Sequence, residues 1–341
     1  MKKIITSTVL ALCLLSVTLK AQDIHYSQFY ASPLTLNPAL TGVIDGQYRI
    51  GAMYRNQWAS VSNNPYVTPS ISFDWNGIAP KFFKTWVFSA GLLILDDKSG
   101  DGSLQNLNVT GSFAFRRFID KAGKNNISLG GQIGYNQESV NLNALTFENE
   151  FTGTGFNTSA GSGETGLTNT STSFLTINAG ALYTSKISKT VDFYGGVAGF
   201  NLNQPKETFF SSGSNTLAAR EIIHGGFRIA LSSKVSLLPA ALFMTQASAT
   251  EFDLGTSLSY LIKGNSNDAT LFIGGYDRIN DAIIAMVGME YRGVRVGVSY
   301  DINTSSLTAA TNDKGGFEIS LTYIGLFSLI NEKPVLFCPR Y

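Results

Sequence analysis

Alternation of apolar and polar residues, in segments of about ten residues separated by turn residues, is the feature that most constrains this chain. The clearest segment runs from Val294 to Asp301, where one face carries three valines and a tyrosine and the other carries arginine, glycine, serine and aspartate. A period of two is that of a β-strand with two different faces. The pattern therefore predicts an all-β chain.

A soluble β-sandwich also alternates, so the polar faces of the segments decide between the two architectures. They carry glycine, serine, asparagine and glutamine with few charges, and only 14% of the chain is charged, against about 25% in globular proteins. Segment lengths are close to the 9–11 residues of a tilted membrane strand. Lipid outside and a polar lumen inside explain both faces. We predict a transmembrane outer-membrane β-barrel of about 14 antiparallel strands over residues 47–325.

Both ends of the chain have features of their own. Residues 1–21 have a basic start, an apolar core and a small residue at Ala21, which predict a cleaved signal peptide. Cleavage would remove Cys13 and leave Cys338 without an intramolecular partner. Residues 326–341 are expected to form a C-terminal periplasmic tail. An even strand count predicts that both termini are periplasmic, with short turns on that side and long loops outside.

Residues 139–173 form the longest of these connections and are rich in Gly, Ser, Thr and Asn. Such a segment is either a flexible surface loop or a loop that binds a partner.

Six motifs in a fixed order give the chain a family resemblance. They are QFYASPLTLNPALTG at 28–42, YRNQW at 54–58, GFNLNQP at 199–205, GGYDRINDAIIAMVGMEY at 274–291, GVSYDIN at 297–303 and CPRY at 338–341. Together they resemble the PorP/SprF family of outer-membrane proteins of the type IX secretion system, over essentially the whole mature chain. The resemblance implies a barrel that helps to secrete or anchor surface proteins, including large adhesins, in the secretion and gliding machinery. It also implies two kinds of partner besides outer-membrane lipid: a secreted surface protein and a periplasmic secretion component.

Residues 22–46, before the first predicted strand, contain Asn37 and Pro38, a pair suited to the start of a helical turn. The apolar content of this region argues against a solvated tail. We expect it to fold into the lumen or across the periplasmic mouth as a plug, the alternative being a loose periplasmic tail.

Two further motifs are candidates for partner binding or for a structural role. They lie at the ends of predicted strands and consist of Tyr54, Arg55, Asn56, Gln57 and Trp58, and of Asn201, Asn203, Gln204 and Pro205. Trp58 also suits an interfacial aromatic girdle, and the amides could instead end a strand by bonding local backbone.

Five charged residues lie on the face opposite the apolar stripe and are expected to form a polar network in the lumen: Arg228, Glu290, Arg295, Asp301 and Glu318. The alternative is that they line a conduit.

Catalysis, cofactors and metals have little support. The two histidines, His25 and His224, have ordinary explanations, and no phosphate loop, GxSxG or HExxH motif is present. A net charge of +1 gives no electrostatic case for nucleic acid. The sequence therefore favours a non-catalytic barrel that docks a partner. The alternatives are a plugged channel for small or hydrophobic solutes and a barrel enzyme.

Overall fold

The computed structural model describes residues 23–78, 86–163, 170–210, 213–264, 268–306 and 308–326. The expected signal peptide and residues 327–341 of the expected C-terminal tail lie outside the described residues. In the ranges that are described, no helix is long and apolar enough to cross a membrane.

Fourteen antiparallel strands form a closed barrel, in which each strand pairs with its sequence neighbours and the last pairs with the first. This confirms the predicted all-β barrel and its strand number. Closure lets every strand pair on both sides, as a lipid environment requires. The strands are β1 (Tyr48–Gln57), β2 (Tyr66–Ile78), β3 (Trp86–Ser99), β4 (Leu104–Phe118), β5 (Asn125–Ser139), β6 (Ser171–Lys186), β7 (Val191–Phe200), β8 (Arg220–Ala230), β9 (Val235–Gln246), β10 (Ala249–Ile262), β11 (Ala269–Arg278), β12 (Ala282–Tyr291), β13 (Val294–Asn303) and β14 (Lys314–Gly325).

Helical structure in the described residues is confined to single turns before β1 and in the loops. Two are α-helical, α1 (Pro33–Leu36) and α2 (Thr308–Thr311). The 3₁₀ turns are Phe29–Ala31, Pro38–Leu40, Leu142–Ala144, Glu148–Glu150 and Thr158–Ala160.

The alternation places apolar side chains outside the barrel and most polar ones inside. Val296 is 40% exposed on the outer face, whereas Nε of its neighbour Arg295 donates to Glu290 on the lumen face. In β14, Glu318 is fully buried in the lumen, and the flanking Phe317 and Ile319 are exposed outside. A period of two thus separates a lipid-facing surface from the lumen.

The two ends of the barrel differ in their connections. Connections after even-numbered strands form one end, here called the turn rim. They include a two-residue turn at Arg292 and Gly293, whose φ values of 51° and 78° suit the twist of a tight hairpin. Connections after odd-numbered strands form the opposite end, here called the loop rim. It carries the long loops 140–170 and 201–219, together with short ones such as 279–281.

Residues 23–47, here called the N-terminal segment, lie inside the barrel and run along its length. At the loop rim, the backbone nitrogen of Asp23 donates to Oε1 of Gln246 at the end of β9 (2.6 Å). At the turn rim, the backbone nitrogen of Gln47 donates to the carbonyl of Gly325 (2.9 Å). The segment therefore crosses the lumen from the loop rim to the turn rim, opposite in direction to β1.

This path bears on the expectation that both termini lie on the same side of the membrane. An even number of strands requires only that the start of β1 and the end of β14 lie at the same end of the barrel, and both are at the turn rim. The N-terminal segment adds a further pass, so Asp23 lies at the loop rim while Leu326, after β14, lies at the turn rim. The sequence did not indicate this position of residue 23, because strand periodicity gives no information about a pass that is not a strand.

The apolar core of the molecule lies in the lumen. Phe29, Leu36 and Leu40 of the N-terminal segment belong to one buried cluster with Leu242 and Met244 on the lumen face of β9. This strand is therefore apolar on both faces, which departs from the expectation of a polar lumen. Burial of these side chains is the main favourable term that holds the segment in place.

Candidate functional site

Buried charges cluster near the loop rim, where the N-terminal segment meets the strands β10 to β14. Arg278 of β11 is at the centre of this cluster. Its Nε lies 3.4 Å from Oδ1 of Asp253 and 3.5 Å from Oε1 of Glu251, and its Nη1 lies 3.1 Å from Oδ2 of Asp301. Since an unpaired buried charge is costly, the guanidinium of Arg278 stabilises the three carboxylates that surround it in the lumen.

Glu318 of β14 holds the N-terminal segment through its backbone. Its carboxylate accepts hydrogen bonds from the backbone nitrogens of Ser27 (2.7 Å) and Gln28 (2.9 Å). Nε of Arg55 lies 3.5 Å from the same carboxylate, and Nη1 of Arg55 donates to the carbonyl of His25. Charge-assisted bonds to two successive amides fix both the position and the direction of the segment.

Two side chains of the segment bond to the barrel wall here, and the first of them connects two of these charges. Oγ of Ser27 donates to Oδ2 of Asp301 (2.6 Å) and accepts from Nη2 of Arg278 (2.8 Å). The phenol of Tyr26 donates to Oγ of Ser70 (2.8 Å).

The segment is also held where it reaches the loop rim. Nε2 of His25 lies 2.9 Å from Oε2 of Glu251. Nδ2 of Asn201 donates to Oδ2 of Asp23 (2.6 Å), and Nη1 of Arg220 donates to the carbonyl of Ile24 (2.9 Å). These contacts come from three different strand ends, so they tie the segment across the mouth of the barrel.

Asn37 occupies the middle of the lumen and is fully buried. Its Oδ1 accepts from the backbone nitrogen of Ala39 (2.8 Å), which caps the turn Pro38–Leu40. Its Nδ2 donates to the carbonyls of Ala181 (3.1 Å) and Val197 (3.2 Å). The side chain therefore makes hydrogen bonds to the segment and to the barrel wall at the same time. A buried amide needs such partners for both its oxygen and its nitrogen.

The wall opposite Asn37 is built from glycines. A Cβ on Gly196 would lie 2.8 Å from Nδ2 of Asn37, and one on Gly180 would overlap its Oδ1. On β5, a Cβ on Gly130 would overlap the backbone at Pro38. The turn rests against three adjacent strands only because these positions carry no side chain.

Asp74 of β2 receives the segment near the turn rim. Its Oδ2 accepts from the backbone nitrogen of Gly42 (2.7 Å), and both of its oxygens accept from the guanidinium of Arg49 at 2.8 Å. Gly42 has a φ of 69°, and a Cβ there would lie 2.6 Å from the carbonyl of Trp75. Only glycine fits this bend, which turns the segment towards β1.

The charges predicted for the lumen fall into two groups. Asp301 and Glu318 belong to the cluster near the loop rim. The other three form pairs near the turn rim: Nε of Arg295 donates to Oε2 of Glu290 (3.0 Å), and Nη1 of Arg228 donates to Oδ2 of an aspartate on β7 (3.2 Å).

The YRNQW motif divides between the two faces of the barrel. Arg55 is buried in the lumen, whereas Tyr54 is exposed on the outer face. Asn56 also faces outwards, and Gln57 ends β1. Trp58 follows with a φ of 62°, and its ring packs edge-on against Tyr66 at a centroid distance of 5.2 Å.

The NLNQP motif ends β7 and bonds its neighbour strand. Oδ1 of Asn203 accepts from the backbone nitrogen of Ile177 (3.0 Å), and its Nδ2 donates to the carbonyl of Leu175 (2.7 Å). These backbone groups belong to the part of β6 that extends beyond β7. The backbone nitrogen of Gln204 donates to the carbonyl of Asn201, and the carbonyl of Pro205 accepts from Leu217.

Other contact residues were not identified from the sequence. Arg278, Glu251 and Asp253 make the cluster near the loop rim, and Asp74 binds Gly42. All four lie on polar faces of alternating segments, which is the signal that could have found them. In the part of the chain that the structure describes, no group of three or more His, Cys, Asp or Glu side chains is arranged to hold a metal ion.

Comparison with protein families decides the relationship that the motifs indicated. The model of a family described as type IX secretion system membrane protein PorP/SprF matches residues 18–323. The chain belongs to the PorP/SprF family. A PorP/SprF membership and a closed membrane barrel together place the protein in the outer membrane, and both are properties of secretion and transport proteins rather than of enzymes. A search of curated proteins gives no match to this PorP/SprF chain.

Solved structures share the fold of this PorP/SprF protein at low sequence identity. The toluene transporter TbuX of Ralstonia pickettii is similar with a TM-score of 0.50 and 10% identity, over 86% of this chain and 94% of that chain. A FadL homologue of Pseudomonas aeruginosa gives a TM-score of 0.47 and 9% identity, over 84% of this chain and 92% of that chain. The first likeness supports an outer-membrane barrel fold and nothing more specific.

Proposed function

We propose that this PorP/SprF protein is a closed, non-catalytic barrel that supports type IX secretion by docking a partner at its rim. The partner is an exported surface protein such as an adhesin, or a periplasmic secretion component. The observation that carries the proposal is the occupation of the lumen by the N-terminal segment, which is bonded to the wall from Asp23 to Gln47. A barrel filled by its own chain offers its rims, rather than its interior, to another protein.

In this proposal the N-terminal segment is a plug. Phe29 and Leu36 are buried against the wall, and a loose tail would expose them to water. Asn37 and Glu318 are fully buried and bonded between segment and wall. These contacts favour a permanent filling over a segment that enters and leaves the lumen freely.

The orientation follows from the lengths of the connections. Outer-membrane barrels have short periplasmic turns and long external loops, so we place the turn rim in the periplasm and the loop rim outside the cell. The start of β1 and the end of β14 are then periplasmic. Asp23 is on the external side.

The loop between β5 and β6 is the proposed docking element for the exported surface protein, whereas a periplasmic component would dock at the turn rim. Phe151 and Phe156 are 53% and 55% exposed, and their rings lie 5.2 Å apart. The backbone nitrogen of Asn157 donates to the carbonyl of Glu150 (2.7 Å), so a hydrogen-bonded hairpin presents both rings. Aromatic anchors of this kind dominate the binding energy of protein interfaces.

Photo-crosslinking in intact envelopes tests the docking. A photoreactive residue at Phe151 or Trp58 should capture an envelope partner that one at Ser188, on a turn-rim connection, does not capture. Deletion of the protein should abolish surface display of adhesins while solute uptake continues. Equal capture from all three positions would contradict docking at the loop rim.

Conductance in planar bilayers tests the plug. The purified protein should be closed, and deletion of residues 23–46 should give a steady pore. If the intact protein conducts steadily and retains no partner, the docking proposal fails and a plugged channel for small or hydrophobic solutes replaces it.

A further inference from the structure

The N-terminal segment does not fill the lumen evenly. A cavity of about 240 Å³ remains between the segment and the strands β10 to β14. Its walls are mainly apolar and include Tyr30, Phe272, Met286 and Ile324. A cavity of about 150 Å³ with such walls holds a benzene ring, so this one has room for about two apolar side chains.

The cavity exists because the wall here is covered less than elsewhere. Thr322 and Met286 face the lumen on β14 and β12 and are only half-buried, whereas Ser128 on β5 and Thr184 on β6 are fully buried. The 3₁₀ turn Pro38–Leu40 leans on the side of β4 to β7. Space is therefore left on the opposite side.

The cavity reaches the turn rim at the point where β14 ends. Gly293, in the turn between β12 and β13, and Ile324, the penultimate residue of β14, both line it. The exposed Asp45 lies at the same mouth. The chain continues from this place beyond Leu326.

We propose that residues 334–337 of the same chain, Pro-Val-Leu-Phe, occupy this cavity. They form an apolar stretch after the charged residues Glu332 and Lys333, and they are followed by Cys338. Two of their side chains match the available volume. Their burial in the cavity would remove apolar surface from water, which favours the docked position.

The length of chain after β14 is sufficient for this path. Residues 327–334 can span about 26 Å when extended. The cavity extends from Ile324 to Ser320, four residues along β14 or about 13 Å. The chain can therefore leave the sheet, turn back at the rim and enter with residues 335–337.

The chemistry of the walls favours this occupant over a charged ligand. The charged lining residues inside the cavity are already paired: Arg295 with Glu290, and Arg49 with Asp74, while the fourth, Asp45, lies at the mouth. A neutral apolar occupant leaves these pairs intact. A tethered segment is also present at an effective concentration of the order of millimolar. A free solute competes with it only at a similar concentration.

Disulfide trapping tests the proposal, because Cys338 is the cysteine that remains after the predicted signal cleavage. In purified full-length protein, Thr322→Cys, inside the cavity, should form a disulfide with Cys338 about ten-fold faster than Ala230→Cys. Ala230 is a matched control, since it also faces the lumen near the turn rim and is half-buried, but lies on β8. A randomly moving tether would reach both positions.

A second variant separates docking from mere proximity. Leu336→Glu with Phe337→Glu should remove the advantage of Thr322→Cys, and Lys333→Glu should leave it unchanged. All variants should keep the heat-modifiable migration of a folded barrel. Equal trapping at Thr322→Cys and Ala230→Cys overturns the proposal, and so does a co-purified apolar molecule or partner peptide that fills the cavity in the full-length protein.

Discussion

Gly180 of β6 lies so close to the side-chain oxygen of Asn37 that a Cβ atom on Gly180 would overlap that oxygen. Gly196 and Gly130, on the strands to either side, make similar approaches to Asn37 and to the backbone at Pro38. Three neighbouring strands thus carry glycine where one turn of the N-terminal segment rests. The wall and the segment are complementary in shape, in addition to being joined by hydrogen bonds.

Replacement of this glycine tests the fit. Gly180→Ala should lower the free energy of unfolding by about 1–3 kcal/mol, because the new methyl group must displace Asn37 from its carbonyl partners. The measurement is denaturant unfolding of the protein in lipid vesicles. Gly111→Ala is the matched control, since a Cβ there meets nothing closer than 3.9 Å. Equal loss in both variants would show that the contact with Asn37 does not matter.

Removal of the charge of Glu318 should destabilise the protein more than removal of the charge of Glu290. Glu318→Gln replaces one acceptor oxygen by a donor facing the backbone nitrogens of Ser27 and Gln28, and it removes the carboxylate that lies 3.5 Å from Nε of Arg55. We expect destabilisation of about 3 kcal/mol, the range for breaking a buried pair, and faster proteolysis near Phe29. Glu290→Gln removes a half-exposed partner of Arg295 and should cost about 1 kcal/mol. The reverse order would contradict the anchoring role of Glu318.

The path of the N-terminal segment predicts which side of the membrane residue 23 reaches. In a Cys338→Ser background, Asp23→Cys should react with a membrane-impermeant maleimide on intact cells, as should Asn215→Cys on a long loop. Ser188→Cys, on a turn, should react only after the outer membrane is permeabilised. If Asn215→Cys reacts from outside and Asp23→Cys does not, the path is wrong. If Ser188→Cys reacts from outside, the orientation is wrong.

The exposed ring pair predicts a loss of partner binding without loss of stability. Phe151→Ser with Phe156→Ser removes two aromatic anchors from the loop and should weaken capture of the docked protein at least ten-fold, or about 1.4 kcal/mol. Unfolding of the barrel should be unchanged, because both rings lie outside the lumen. Ile119→Ser, an exposed apolar residue next to the turn rim, is the control for a general loss of surface hydrophobicity. Unchanged capture by the double variant would exclude these rings from docking.

The strands and their faces could be predicted because they follow from local alternation. Val296 outside and Arg295 inside are consequences of a period of two, and the even strand count follows from turn residues. The N-terminal segment could not be traced in this way. Ser27 and Glu318, which fix it, are 291 residues apart in sequence, and a contact at that separation leaves no local pattern.

The charge cluster shows the same limit in another form. Alternation places Asp253 and Arg278 on polar faces, but only the register of β10 against β11 makes them direct partners. The apolar lumen face of β9 did leave a signal. Its run from Leu237 to Met244 is apolar at successive positions rather than alternate ones, which indicates a strand buried on both sides.

The hydrogen bonds between β1 and β14 close a ring around a piece of the same polypeptide. A closed ring cannot be filled from the side, so residues 23–47 either are enclosed as the last strands join or enter lengthwise with Asp23 leading. Lengthwise entry requires a free leading end, and the predicted signal peptide would prevent it for as long as it is held at the inner membrane. The barrel can therefore form in only two ways. Either the signal peptide is released before residues 23–47 thread into the closed ring, or β1 and β14 pair last, around a segment that is already in place.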